Sequence, residues 1–235
     1  FPADFISENL AIQGNVIGAA QRAGVKRLIF FASSCMYPRE CPQPMAEDAL
    51  FTGRPEPTSI AYAMSKFAGT ELCLANNRQH GGTRFVPVIP NSVYGPNDDF
   101  DPATGHVLAS LLRKFHDAKV RGARAVKLWG SGTHRREFLF ADDLADACLR
   151  LLGADLSNDQ LPLNIGPGED VSIAELAALV AGILGYTGAI EWDRAKPDGA
   201  PRKLLDSARM RTLGWKPATP LSEGIRRTYD WYLSQ

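Results

Sequence analysis

With 235 residues, 45% of them hydrophobic, the chain can bury the core of one large α/β domain or of a domain with a smaller lobe. Its 26 basic residues balance 26 acidic ones, so no net field draws nucleic acid or an anionic membrane, and any phosphate recognition has to be local. There is no apolar run of about 18 residues, the opening FPADFISENL lacks the regions of a secretory signal, and Cys35, Cys41, Cys73 and Cys148 show neither CxxC nor metal-finger spacing. The expectation is a soluble cytoplasmic protein with no nucleic-acid or membrane partner, no disulfide framework and no metal.

Residues 4–23 carry Phe5, Ile6, Leu10, Ile12, Val16 and Ile17 at roughly helical spacing, and KRLIFFASS then reads as a buried strand entering a small-residue turn. SIAYAMSKFAGTELCLANNRQ is helical, RFVPVIP strand-like and GHVLASLLRKFHDA helical again. Repeated βα units of this kind predict an α/β fold with a Rossmann-like, largely parallel sheet. Beyond residue 120 the pieces shorten: VKLWGSG, REFLF, an Asp-capped helix over 141–152, PLNIG, a helix over 172–185, and AIEWD. Residues 1–120 are therefore expected to belong to a dinucleotide-binding domain. Residues 121–235 are expected to form mainly a smaller substrate-binding lobe, interleaved with the last Rossmann elements, with KPDGAPRK and PNDDFDPATG as binding loops.

A sheet of this type normally opens with a strand and a Gly-rich turn that seats pyrophosphate at a helix amino terminus, and nothing before KRLIFFASS supplies G-x-G-x-x-G. The chain also begins with Phe1. The expectation is that the first strands are missing, which would leave KRLIFFASS as an exposed edge.

Tyr62 and Lys66 form Y-x-x-x-K within a helical segment, so phenol and ammonium share one face. A neighbouring cation is expected to lower the phenol pKa and suit it to carbonyl/alcohol interconversion. The same spacing also describes an ordinary surface pair. Ser33 and Ser34 end the strand LIFFASS, and ligands of open α/β sheets bind beyond the carboxyl ends of strands. A serine there can hold a substrate carbonyl or simply cap a turn.

The order strand-SSxxY, Y-x-x-x-K and a strand ending in VIPNSVYGP resembles the extended short-chain dehydrogenase/reductase superfamily. Within it, SSCMYP, QPMAEDAL, EPTSIAYAMSK, YGPNDDFDP, HVLASLLRKFH, LWGSGTHRREFLFADDLA and KPDGAPRKLLD are similar to blocks of the GDP-L-fucose synthases, from Phe1 to Trp231. The resemblance implies NADPH-dependent 3,5-epimerisation and 4-reduction of GDP-4-keto-6-deoxy-D-mannose. Ser33, Tyr62 and Lys66 match the catalytic trio, with Tyr62 as proton donor to the C4 oxygen and Lys66 also on the nicotinamide ribose. Cys35 and His106 match the acid/base pair that inverts C3 and C5, whose protons the C4 ketone acidifies. Read alone, Cys35 is equally a small buried hydrophobe and His106 a solvent-facing residue at a helix start.

The resemblance further places NADP(H) against Phe31, Ala32, Ser33, Ser34, Tyr62, Lys66, Pro90, Asn91, Ser92, Val93 and His106. It places the GDP-sugar against Lys114, Trp129, Arg136, Asp198 and Lys203, and it implies a homodimer for the complete protein, with helices 4–23 and 59–80 available for the contact. The family usually has Thr-Asn at Asn91-Ser92 and Arg at Lys114, which exchanges a planar fork for a point charge. UDP-sugar 4-epimerases and GDP-mannose 4,6-dehydratases share Ser, Tyr and Lys, but the Cys35 and His106 pair is not expected in them. A noncatalytic nucleotide-sugar-binding fragment is the alternative of a different class.

Overall fold

In the computed structural model, which describes residues 1–102, 104–196 and 198–235, the chain begins with helix α1 (Pro2–Arg22), strand β1 (Leu28–Phe31), helix α2 (Ile60–His80) and strands β2 (Phe85–Pro90) and β3 (Ser92–Tyr94). Helix α3 (Val107–Val120), strands β4 (Ala125–Trp129), β5 (Arg135–Arg136) and β6 (Phe138–Phe140), and helix α4 (Ala141–Gly153) follow. Strands β7 (Leu163–Ile165) and β8 (Val171–Ser172), helix α5 (Ile173–Leu184), strands β9 (Ala189–Asp193) and β10 (Arg202–Lys203), and helices α6 (Ala208–Thr212) and α7 (Leu221–Leu233) complete it. Among the described residues no helix is long and apolar enough to cross a membrane.

Two compact units emerge. The first comprises Phe1–Asn91, Leu144–Gly168 and Leu205–Lys216, and the second Ser92–Asp143, Glu169–Leu204 and Pro217–Gln235. The units and the division expected at residue 120 do not coincide. Residues 92–120 fall in the second unit, while β7 returns to the first because it pairs with β2.

The first unit is built on a parallel sheet of order β1-β2-β7, with Leu28 opposite Phe85, Phe31 opposite Val88, and Val88 opposite Leu163. Phe85 to Ile89 are all buried, as suits the central strand of a sheet covered on both faces. Among the described residues strand β1 pairs with β2 alone, and its last residue, Phe31, is 46% exposed. Helix α1 starts on Pro2, whose missing N–H costs nothing in a first turn, and turns Gln13, Ile17 and Ala20 inward. It packs along α2, where Gln13 Nε2 donates to the Ser65 carbonyl at 2.7 Å. Ile17, Phe30, Met36, Phe67, Phe85 and Ile89 form the core.

The second unit carries three small sheets: β3 with β6, β4 with β9, and the order β10-β5-β8, in which only the β5–β8 pairing is antiparallel. REFLF, expected as one strand, divides at the fully buried Glu137 into β5 and β6, which join different sheets. Leu112, Phe115, Phe140, Leu176, Val180 and Ile225 belong to its core. Helix α5 begins with a complete capping box, in which the Glu175 N–H donates to Ser172 Oγ at 3.1 Å and the Ser172 N–H donates to Glu175 Oε2 at 2.7 Å.

Candidate active site

The carboxyl end of β1 leads through Ala32 into a single 3₁₀ turn, Ser34–Met36, capped by Ser33, whose Oγ accepts from the Cys35 N–H at 3.2 Å. Ser34 is buried and donates to Asn91 Oδ1 at 3.2 Å, joining the ends of β1 and β2. Helix α2 brings Tyr62 and Lys66, both half-buried, to the same place. Lys66 Nζ donates to the Phe31 carbonyl at 2.9 Å and lies 5.6 Å from the centroid of the Tyr62 ring, while Tyr62 shares a side-chain hydrogen bond with Ser33. Ser33, Cys35, Tyr62 and Lys66 are thus gathered within the first unit, together with Phe31, Ala32, Ser34, Pro90 and Asn91 at the two strand ends.

The expected lowering of the phenol pKa is not found. Burial pushes Tyr62 up, with a smaller upward push from Cys35, and the Ser33 hydrogen bond offsets only part of this. Burial also pushes the Lys66 ammonium down, and its proton is directed to a backbone carbonyl. The result is a neutral phenol around neutral pH, a form fitted to donate a proton.

The remaining expected residues lie in the second unit. Ser92 and Val93 stand on β3, opposite Phe138 and Leu139 of β6. His106 is exposed and is the N-cap of α3, without a side-chain capping bond. It follows a tightly folded acidic loop: the Asp101 N–H donates to Asp99 Oδ1 at 2.9 Å, Thr104 Oγ1 donates to Asp99 Oδ2 at 2.9 Å, and a Cβ on Gly105 would meet the Asp99 carbonyl oxygen at 2.1 Å. Burial raises the Asp98 carboxyl, opposed by the Asp99 N–H and by the charge of His106.

Behind this loop a cavity of about 280 Å³ is lined by Gly105, Ser110, Lys114, Trp129 and His134, among others. Trp129 is 64% exposed, with Lys114 Nζ 5.6 Å and Lys196 Nζ 5.3 Å from its ring centroid. Asp198 Oδ1 accepts from the Ser131 N–H at 2.6 Å, and Oδ2 accepts from Ser131 Oγ at 2.7 Å. These bonds hold the carboxyl below its usual range, helped by His134, whose Nδ1 lies 3.5 Å away. Gly130 makes the turn with φ of +82°, and a Cβ there would meet Asp198 Oδ1 at 2.2 Å. Of the five residues expected to hold substrate, Lys114 and Trp129 line the cavity. Arg136 is directed to the carbonyls of Arg135 at 2.7 Å and Ala200 at 2.8 Å, and Lys203 pairs in register with Arg136 across β10 and β5.

Two neighbours were not singled out from the sequence. Lys196 lies within the KPDG segment read as a binding loop, so its signal was available; nothing in the residue pattern marked His134.

Residues 1–166 match the model of the NAD dependent epimerase/dehydratase family. GDP-L-fucose synthase 1 of Arabidopsis thaliana is 51% identical over 233 residues, covering 99% of this chain and 71% of that protein. The GDP-L-fucose synthase of Escherichia coli K12 is 45% identical over 240 residues, covering 99% and 74%. Among solved structures, a GDP-L-fucose synthetase from Naegleria fowleri bound to NADP superposes with a TM-score of 0.91 at 28% identity, covering 100% of this chain and 74% of that one. A GDP-6-OMe-4-keto-L-xylo-heptose reductase from C. jejuni also reaches 0.91, at 34% identity, covering 100% and 78%.

Proposed function

The chain belongs to the NAD-dependent epimerase/dehydratase family, among its GDP-L-fucose synthases, and on that premise we propose that it converts GDP-4-keto-6-deoxy-D-mannose to GDP-L-fucose by 3,5-epimerisation and 4-reduction with NADPH. The observation that carries this reading is the meeting of Ser33, Cys35, Tyr62 and Lys66 at the carboxyl end of β1.

Tyr62, kept protonated by burial, gives its proton to the C4 oxygen of the sugar as that carbon is reduced. Ser33, which already shares a hydrogen bond with Tyr62, holds the same oxygen in line with the phenol. Lys66 steadies the site through Phe31 and presents further ammonium donors to a ribose hydroxyl. Cys35 and His106 remove and return the protons at C3 and C5, a task that needs one group on each face of the ring. When bound, NADPH supplies the hydride delivered to C4. The residues present fit its nicotinamide-ribose end: Ser34 tied to Asn91 at the strand ends, and the Lys66 ammonium beside Tyr62. Lys114 and Lys196 offer positive charge to the diphosphate of the GDP-sugar, and Trp129 offers a flat face to its base or sugar. Exposed apolar side chains on α1 and α2, among them Leu10, Ile12, Val16 and Leu72, support a homodimer, and a cytoplasmic location suits the reductant.

Separating the two half-reactions tests the assignment. In the full-length enzyme Cys35→Ser should suppress solvent-deuterium incorporation at C3 and C5, whereas Tyr62→Phe should suppress NADPH oxidation and leave exchange largely intact. Equal loss of both activities in both variants would overturn this division of roles.

A further inference from the structure

The segment from Ser33 to Leu50 has little regular structure to hold it: two single 3₁₀ turns and two isolated bridges, Pro38 with Pro55 and Met45 with Leu205. One buried amide ties together three separate points of it, Tyr37, Met45 and Glu47. Asn164, at the centre of β7, is 0% exposed, and its backbone N–H and both side-chain amide atoms are engaged. Its backbone N–H donates to Glu47 Oε1 at 2.9 Å, and its Nδ2 donates to the carbonyls of Met45 at 2.9 Å and Asp206 at 3.1 Å. Its Oδ1 accepts from the Tyr37 hydroxyl at 2.7 Å. Glu47, itself buried, faces Arg209 Nε at 3.4 Å, and Arg209 Nη2 donates to Asp48 at 2.7 Å. A cluster of this kind is costly to bury unless every member is satisfied, and once satisfied it fixes one arrangement. Burial pushes the Tyr37 phenol up, and the charge of Glu47 adds to this, so Tyr37 remains a donor across the working pH range.

We infer that Tyr37 and Asn164 are positioning residues for Cys35. The inference rests on the assignment of Cys35 to epimerisation. Cys35 lies between two anchors: Ser33, which closes the upstream side of the turn through the Cys35 N–H, and Tyr37, whose hydroxyl pins the downstream side to β7. Tyr62 and Lys66 do not depend on the second anchor, because α2 carries them and Lys66 is tied to Phe31. Loosening Tyr37 therefore frees the thiol more than the phenol.

The test compares two rates in the full-length enzyme: solvent-deuterium incorporation at C3 and C5 of the 4-keto substrate without reductant, and single-turnover NADPH oxidation. Tyr37→Phe is expected to lower the ratio of exchange to oxidation about tenfold, the effect of a sub-ångström misplacement of one reacting group. Arg209→Met, which removes the support of Glu47 from the periphery, should shift the ratio in the same direction, and it decides the matter if Tyr37→Phe does not fold. Asn77→Ala is the control for general softening. It deletes a pair of bonds to the backbone of Phe85, at 2.7 and 2.9 Å, in the same unit and outside this segment, and should leave the ratio unchanged. A ratio unmoved in the positioning variants, or moved equally by Asn77→Ala, overturns the positioning role and leaves the proposed function standing. Absence of exchange in the unsubstituted enzyme overturns the function itself, and this inference with it.

Discussion

Adding one methyl group at Gly69 puts the packing that aligns the site under direct strain. Gly69 lies on α2 one turn beyond Lys66, and a Cβ there would sit 2.3 Å from Phe30 Cζ and 2.5 Å from Gln13 Oε1. Ordinary contact begins near 3.4 Å, so the phenyl ring or the helix must retreat by about 1 Å. Gln13 is not free to yield without losing its bond to the Ser65 carbonyl, and the Phe30 ring is buried in the core beneath Lys66. Overpacking of this kind costs about 1–3 kcal/mol, while alanine gains roughly 1 kcal/mol over glycine in a helix interior. The net expectation for Gly69→Ala is a loss of about 0–2 kcal/mol, read by urea denaturation. The larger effect is on rate. A helix displaced by about 1 Å carries Lys66 out of reach of the Phe31 carbonyl, now 2.9 Å away, and Tyr62 away from Ser33, and a misplacement of that size costs about 10²-fold. A Gly69→Ala enzyme as stable as its parent, with unchanged single-turnover NADPH oxidation, would refute the reasoning.

Asp170 is nearly buried and accepts from Arg135 Nε at 2.8 Å and from Arg202. Burial is the largest single influence and pushes its carboxyl up, but the hydrogen bonds from Arg202 and Arg135 together hold it below the usual aspartate range. Its stabilisation is therefore present above the unfolded pKa and is lost as pH falls through the lowered folded value. Asp170→Asn should cost about 2 kcal/mol at neutral pH, allowing for the exposure of both arginines, and the deficit should shrink in acid; a deficit independent of pH contradicts the pairing. Trp129→Ala should weaken GDP binding about tenfold by calorimetry, with little change in stability because the ring is 64% exposed; unchanged affinity would remove Trp129 from the site. Ser172→Ala opens the capping box of α5 and should cost about 1 kcal/mol in denaturation without altering the exchange or oxidation rates.

The long elements were legible because their patterns are local. The helix expected over 4–23 is observed as Pro2–Arg22, SIAYAMSKFAGTELCLANNRQ folds as α2, and RFVPVIP becomes the buried centre of the first sheet. Spacing alone fixed Tyr62 and Lys66 to one helical face, but not the direction of the phenol shift. That direction depends on burial and on Lys66 donating to Phe31, both set by tertiary packing. Strands β8 and β10, each two residues long, exist only through their pairing with β5, which no local pattern announces. Helix α7 did carry a signal that was passed over: Leu221, Ile225 and Tyr229 recur every fourth residue behind Pro220, in an otherwise polar stretch. PLNIG read as a strand, correctly, but its apolar look concealed Asn164, whose importance lies in four distant partners.

Product analysis with the full-length enzyme in deuterated water tests the central claim most directly. Given GDP-4-keto-6-deoxy-D-mannose and NADPH, the account predicts GDP-L-fucose carrying deuterium at C3 and C5, with one NADPH oxidised for each sugar formed. A C4-reduced sugar that keeps the configuration and the protons of its substrate at C3 and C5 would contradict it.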